Sequence, residues 1–154
     1  MTNPDFSIST FIQELENIWN GEGRDLFVLN IDDSKTWPHF TISGKREGTP
    51  IVKGHFVEGG TSYWQISDSG RERFTGNDHS CVEFINEMKA TIHVLVTTGC
   101  TETRWTDQGG NLVNSTIVME VSGKEIIFGD PPAFWRRGLI EESITYAPYR
   151  SISS

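Results

Sequence analysis

Cysteine is scarce in this chain: Cys81 and Cys100 are the only two in 154 residues. They lack the CxxC spacing of redox and zinc motifs, and two cysteines are too few for a disulfide framework. We therefore expect two free thiols in a reducing compartment. Cys81 falls near the start of a predicted helix, where the helix dipole would lower the pKa of a thiol. No base partner for it is evident, so a nucleophilic role is not favoured.

Long apolar runs are also missing. No stretch approaches the ~20 apolar residues of a membrane-spanning helix. The first ten residues, MTNPDFSIST, contain neither the basic segment nor the apolar segment of a secretory signal. These absences predict a soluble, cytoplasmic protein with no membrane partner.

Basic residues are fewer than acidic ones: the chain has 13 Lys and Arg and 21 Asp and Glu, which gives a formal net charge of −8. Nucleic-acid binding requires clustered cations that neutralise phosphates, and Arg136-Arg137 is an isolated basic pair. The charge therefore predicts that nucleic acid is not a partner. It is compatible with a partner protein whose surface is basic.

Motifs that hold metals or phosphates are absent from the sequence. The four histidines show neither HxH nor HExxH spacing. The Gly59-Gly60 and Gly109-Gly110 pairs are typical of hairpin turns rather than of phosphate-binding loops. We predict no bound metal and no cofactor.

Helical patterns occur in two places. An apolar repeat predicts a first helix over about residues 9–20. Ser80 and Glu83 form a possible capping box, which predicts that a second helix starts directly after it. The run 92–96 is rich in β-branched residues, so we expect a strand there. Residues 24–31 fit a strand or a short buried helix equally well.

Most of the remaining chain shows the alternation and turn signals of β-strands. The expected strands cover residues 50–58, 61–67, 101–107, 112–121, 125–128 with a continuation at 134–135, and 139–146. The predicted fold class is therefore α+β, with N-terminal helices packed in the concave face of a curved antiparallel sheet. We expect one domain, residues 1–154, with an apolar, aromatic-lined pocket in that concave face.

Several segments resemble the NTF2-like superfamily, which includes SnoaL-like and ketosteroid-isomerase-like proteins. The resemblance is carried by residues 110–113, the turn at 122–124, the stretch RRGLIEESITYAP at 136–148, and Asp32-Asp33 followed by Trp37. It implies a cone-shaped barrel with a small-molecule pocket, and usually a homodimer. Residues 54–78 are longer than the family pattern and suggest an extra hairpin or lid.

The resemblance also bears on chemistry. Family members that hydrolyse epoxides need an Arg and Asp residues at positions that correspond here to Ile117, Met119 and Thr145. Hydrolysis of that kind is therefore not expected. Ketosteroid-isomerase-like members carry their catalytic base close to the position of His39, which makes His39 the first candidate for acid–base catalysis.

Two other side chains are candidates for proton transfer. His93 lies in the apolar run 92–96, and Glu142 is a carboxylate on the apolar face of the last predicted strand. Ordinary strand or core roles remain open for these residues and for His39. The candidate substrate-binding residues are the aromatic side chains of Trp37, Trp105, Phe134 and Tyr146.

The sequence leads to three hypotheses of function. The first is a cofactor-independent isomerase, cyclase or lyase that acts by acid–base catalysis on a hydrophobic small molecule. The second is a noncatalytic small-molecule-binding or dimerisation module of the same fold, and the third is an acidic inhibitor of the toxin-immunity type. An enclosed cavity with two or more polar side chains favours an enzyme. A filled interior with an acidic exposed face favours an inhibitor.

Overall fold

The computed structural model describes residues 8–32, 34 and 36–150. The first helix, α1, spans Ile8–Ile18 and buries Phe11 and Leu15, in agreement with the helix expected over residues 9–20. A π-helical turn over Trp19–Gly23 follows it. The Trp19 indole N–H donates to the Phe27 carbonyl at 3.1 Å and so ties this turn to the first strand.

The next five strands form an antiparallel meander, which we call the first sheet. They are β1 Phe27–Asp32, β2 His39–Gly44, β3 Ile51–His55, β4 Gly60–Ile66 and β5 Ser69–Thr75, in that spatial order. The ambiguous segment 24–31 therefore contributes a strand, and the expected hairpin across Gly59-Gly60 is present. The region compared above to a lid holds two regular strands of this sheet, β4 and β5.

A second antiparallel sheet follows the long helix. It consists of β6 Cys100–Thr106, β7 Leu112–Val121, β8 Lys124–Gly129 and β9 Ile140–Tyr146, in the order β8-β7-β6-β9. The α+β class is confirmed, but the strands of the described residues form two sheets that do not close into a barrel. The expected strand continuation at 134–135 is wrong, because these residues lie in the loop between β8 and β9.

The expectation of a strand at residues 92–96 is also wrong. The second helix, α2, runs without interruption over Asp78–Thr97. Its buried side chains recur at helical spacing and pack against both sheets, so burial overrides the β-propensity of the run. These side chains belong to Cys81, Phe84, Ile85, Met88, Thr91, Ile92, Leu95 and Val96.

The capping box of α2 is formed by Asn77 and Ser80, not by Ser80 and Glu83 as expected. The Asn77 side chain accepts a hydrogen bond from the Ser80 backbone N–H at 2.9 Å, and the Ser80 hydroxyl lies 3.2 Å from the Asn77 backbone N–H. Ser80 is therefore the third helical residue of a capping box rather than its first member. The helix begins three residues earlier than the Ser80–Glu83 pattern predicts.

Aromatic rings fill the space between the first sheet and the helices. The Phe11 and Phe56 rings stack at 4.6 Å, and the Trp64 ring meets Phe84 and Phe128 edge-on at 6.3 and 5.0 Å. All five side chains are fully buried. Ring contacts of this kind are typical of closely packed protein interiors, in which few voids remain between side chains.

The capping box gives a direct test of how α2 starts. We expect Asn77→Ala to lower the free energy of unfolding by about 1 kcal/mol, because it removes the side-chain acceptor of an end N–H group. Urea denaturation followed by circular dichroism measures the change. Asn86→Ala, at an exposed position inside α2, is the matched control. It should leave stability unchanged or raise it by up to about 0.7 kcal/mol, since Ala has the higher helix propensity. Equal losses in both variants would contradict the cap.

Candidate functional site

Among the described residues, buried side chains occupy the face of the first sheet that is turned toward the helices. Its inward positions include the buried Phe40, Ile42, Val52, Trp64 and Ile66. The indole N–H of Trp64 has no acceptor among the described residues. Burying this donor without a hydrogen bond lowers the stability of the fold. The structure thus shows a filled interior where the sequence predicted an aromatic-lined cavity.

The three candidates for acid–base catalysis lie on different parts of the molecule. His39 is on β2, on the outer face of the first sheet. His93 is on α2 with an exposed side chain, not on a strand as expected. Glu142 is on β9, directly opposite Arg104 in register, and is exposed rather than buried. These three side chains are not brought together at one site.

The four aromatic candidates are also dispersed. Trp37 precedes β2, and Trp105 lies on β6 opposite Glu141 with its side chain partly exposed. Phe134 is on the β8–β9 loop and is 95% exposed. Tyr146 is at the end of β9, and its hydroxyl belongs to a buried polar cluster.

That cluster surrounds Glu102, a fully buried carboxylate on β6 that faces the turn between β4 and β5. Its Oε2 atom accepts from the Ser69 hydroxyl at 2.7 Å and from the Asp68 backbone N–H at 3.2 Å. Its Oε1 atom accepts from the Arg104 guanidinium at 2.9 Å. A buried carboxylate is tolerated only when its lone pairs are satisfied in this way.

Two hydroxyl groups complete the cluster. The Ser67 and Tyr146 oxygens lie 2.7 Å apart, and they are 3.2 and 3.1 Å from Oε1 of Glu102. Each hydroxyl carries one proton, so one donates to the other and the second donates to the carboxylate. Ser67 holds a positive φ of 54°, which costs energy for a residue with a Cβ. These hydrogen bonds offset that cost.

The electrostatics of the cluster follow from its burial. Hydrogen bonding to Asp68 and Glu102 raises the pKa of Arg104, which stays charged. Burial raises the pKa of Tyr146, with the Glu102 charge adding to the effect. Burial and the same carboxylate raise the pKa of the nearby Cys100 thiol to about 12. The cluster therefore holds one guanidinium, that of Arg104, paired with the carboxylates of both Glu102 and Asp68, next to the neutral Tyr146 hydroxyl and Cys100 thiol.

Both cysteines are free thiols, as expected. The expectation that a helix start would lower the pKa of Cys81 is wrong, because burial, Asp78 and Glu58 raise it instead. The thiol is 2% exposed and its Sγ lies 3.5 Å from the Thr75 carbonyl oxygen. Cys81 is thus a core residue.

Sequence reasoning missed Glu102. The sequence did contain one signal. Side chains alternate between the two faces of a strand, so Glu102 lies on the same face of β6 as Cys100 and Arg104. Recognising its partners required the pairing of β6 with β9 and the approach of the β4–β5 turn, which are long-range features. Tyr146 was selected for its aromatic ring, whereas its hydroxyl makes the contact.

A second group of polar side chains lies on the outer face of the first sheet. His39 and His55 are directly opposite each other on β2 and β3, with ring centroids 5.3 Å apart. The Tyr63 ring lies 5.9 Å from His55 on the next strand. Burial of its ring and the charge of His39 lower the pKa of His55.

A third feature is the loop of residues 130–139, which we call the aromatic loop. Phe134 and Trp135 are 95% and 70% exposed, and their rings meet edge-to-face at 5.4 Å. The Gln108 side chain donates to the Gly138 carbonyl at 2.8 Å and so attaches the loop to the β6–β7 turn. Among the large hydrophobic side chains of the described residues, these two are the most exposed.

Two further features are absent from the described residues. No three His, Cys, Asp or Glu side chains are grouped so that they could hold a metal ion. In the same part of the chain, no helix combines the length and the apolar character needed to cross a membrane.

Comparison with known proteins does not place the chain in a family. No family model, no curated protein and no solved structure gives a significant match. The similarity to NTF2-like proteins therefore stays a prediction, and the site must be interpreted from its own geometry.

The Glu102 cluster leads to a stability prediction. Glu102→Gln should lower the free energy of unfolding by roughly 2–4 kcal/mol, because it removes the charge that faces Arg104 and leaves buried donors without an acceptor. Chemical denaturation measures this loss. Glu142→Gln, at an exposed position of β9, should change stability by less than about 0.5 kcal/mol. Similar effects of the two substitutions would rule out a stabilising role for the cluster.

Proposed function

We propose that this chain is a noncatalytic protein-binding module of the inhibitor type, which binds a partner with a basic surface through the aromatic loop. The proposal refines the third hypothesis drawn from the sequence. It is carried by one observation: Phe134 and Trp135 are 95% and 70% exposed on a loop that is hydrogen-bonded to the β6–β7 turn.

Exposed aromatic rings on an attached loop are what a binding hot spot requires. Water contact with two large apolar rings is unfavourable, and burial of such rings dominates the energy of many protein interfaces. The edge-to-face contact and the Gln108–Gly138 hydrogen bond hold the loop before a partner arrives. A loop that is already ordered loses less conformational entropy on binding.

Charge favours a basic partner. The chain carries a net charge of −8. Exposed acids lie at the start of the loop, at Asp130, and just after it, at Glu141 and Glu142, on either side of the basic pair 136–137 within the loop. On the outer face of the second sheet, Glu120 and Glu125 are directly opposite each other. Like charges in this arrangement destabilise the free protein, and a basic partner would relieve the repulsion while steering the encounter.

The acid–base isomerase, cyclase or lyase is less well supported and stays a prediction. Such catalysis needs a base and an oxyanion donor directed at one bound substrate. His39, His93 and Glu142 lie on β2, α2 and β9, and the interior is packed with aromatic rings. The noncatalytic NTF2-like module and the homodimer also remain predictions.

The proposal is tested by removing the aromatic loop's rings. Immobilised wild-type protein and the double variant Phe134→Ala/Trp135→Ala are used to capture proteins from an extract, with quantitative mass spectrometry as the readout. We expect a basic protein to be captured by the wild type and to be depleted at least about tenfold by the double variant, since hot-spot truncations cost about 2 kcal/mol or more. Binding should then be reproduced with the purified partner and should weaken as salt is raised.

The matched control is Phe74→Ala. Phe74 is an aromatic side chain that is 64% exposed on β5, outside the aromatic loop, so its removal should leave capture unchanged. Light scattering on the same proteins tests self-association. If the wild type is a dimer and the double variant a monomer, the loop binds a second copy and the inhibitor proposal is wrong. Binding to neutral or anionic lipid vesicles, lost in the double variant, would equally overturn it.

A further inference from the structure

We infer that His39 and His55 form a binding site for one divalent zinc ion on the outer face of the first sheet. This site is independent of the aromatic loop and does not rest on the function proposed above. Both imidazoles are partly exposed and belong to adjacent strands whose pairing fixes their spacing. Imidazole nitrogen is a preferred ligand of Zn²⁺.

The separation of the two rings fits a single tetrahedral ion. Two imidazoles bound at zinc–nitrogen distances of about 2.0–2.1 Å and at a tetrahedral angle have ring centroids about 5.2 Å apart. The observed separation is 5.3 Å, with the ring planes inclined by 37°. Neighbouring ligands of a square-planar ion would lie nearer, at about 4.5 Å. The spacing is therefore the one that two imidazoles on a single tetrahedral zinc ion would have.

The tautomer of His39 is already suited to binding. Its Nδ1 atom lies 2.9 Å from the carbonyl oxygen of Trp37. A carbonyl can only accept, so Nδ1 carries the proton and Nε2 keeps the lone pair that a metal needs. Histidines that bind zinc usually donate their second N–H to a carbonyl or carboxylate in this way, which fixes the ring.

The surroundings leave room for an ion and its water ligands. The two imidazoles line an open groove of about 230 Å³ together with Thr41, Lys53 and Tyr63. Lys53 is exposed, and its long side chain can direct the ammonium group into solvent. Water would fill the two remaining coordination positions, one more than in zinc sites with three protein ligands.

Calorimetric titration of the purified full chain with zinc chloride tests this site. We expect one zinc ion per wild-type chain. His39→Gln and His55→Gln should each weaken zinc binding by at least about tenfold. Substitution of a residue that only hydrogen-bonds to a metal ligand already costs about that much affinity. The thermal transition of the wild type should rise with zinc, because an ion that binds only the folded state stabilises it. Circular dichroism establishes that the variants are folded.

The controls are the two histidines of α2. His79→Gln and His93→Gln remove the same chemical group from a helix on the other side of the first sheet, and both should bind zinc like the wild type. Absence of zinc binding by the folded wild type would overturn the inference. It would also be overturned if the α2 variants weakened binding as much as the His39 and His55 variants.

Discussion

The buried carboxylate of Glu102 is the interaction on which the arrangement of the two sheets depends. It accepts hydrogen bonds from the β4–β5 turn of the first sheet and from Arg104 and Tyr146 of the second. Unpaired, a buried charge would cost several kcal/mol, so the donors must stay in place. This requirement fixes how the turn lies against β6 and β9. It also accounts for the strained backbone of Ser67, whose hydroxyl belongs to the same network.

The order of strands in the second sheet explains why the aromatic loop is exposed. β9 pairs with β6 and not with β8, from which the chain arrives. The connection must therefore pass from one edge of the sheet to the other, across β7 and β6. Such a connection cannot form strand-to-strand hydrogen bonds with β8 or β9. It crosses the surface, where Pro131 and Pro132 suit an unpaired backbone. Exposure of Phe134 and Trp135 is thus a consequence of the same topology that brings Tyr146 to Glu102.

Local patterns in the sequence were sufficient for α1, for the hairpin across Gly59-Gly60 and for β7, because each depends on neighbours within a few residues. They failed at residues 92–96, where β-branched side chains are helical because α2 buries them between two sheets. They also failed at Glu102, whose partners other than Arg104 are more than thirty residues away in sequence. His39 was selected through a family resemblance, but its opposition to His55 follows from the register of β2 and β3. Burial and register are properties of the assembled fold, which local patterns do not contain.

Strand alternation separates the structural residues from those available for binding. Along β6, Glu102 faces inward, whereas Trp105 and the threonines at 101 and 103 face outward. Along β2, Phe40 is buried in the aromatic core while His39 points to the opposite side. A substitution at an outward position leaves the inward packing intact. Its effect on the free energy of unfolding should therefore add to that of a substitution at a distant inward position. A protein with a filled interior can therefore vary its binding surfaces without disturbing the buried network that orients its sheets.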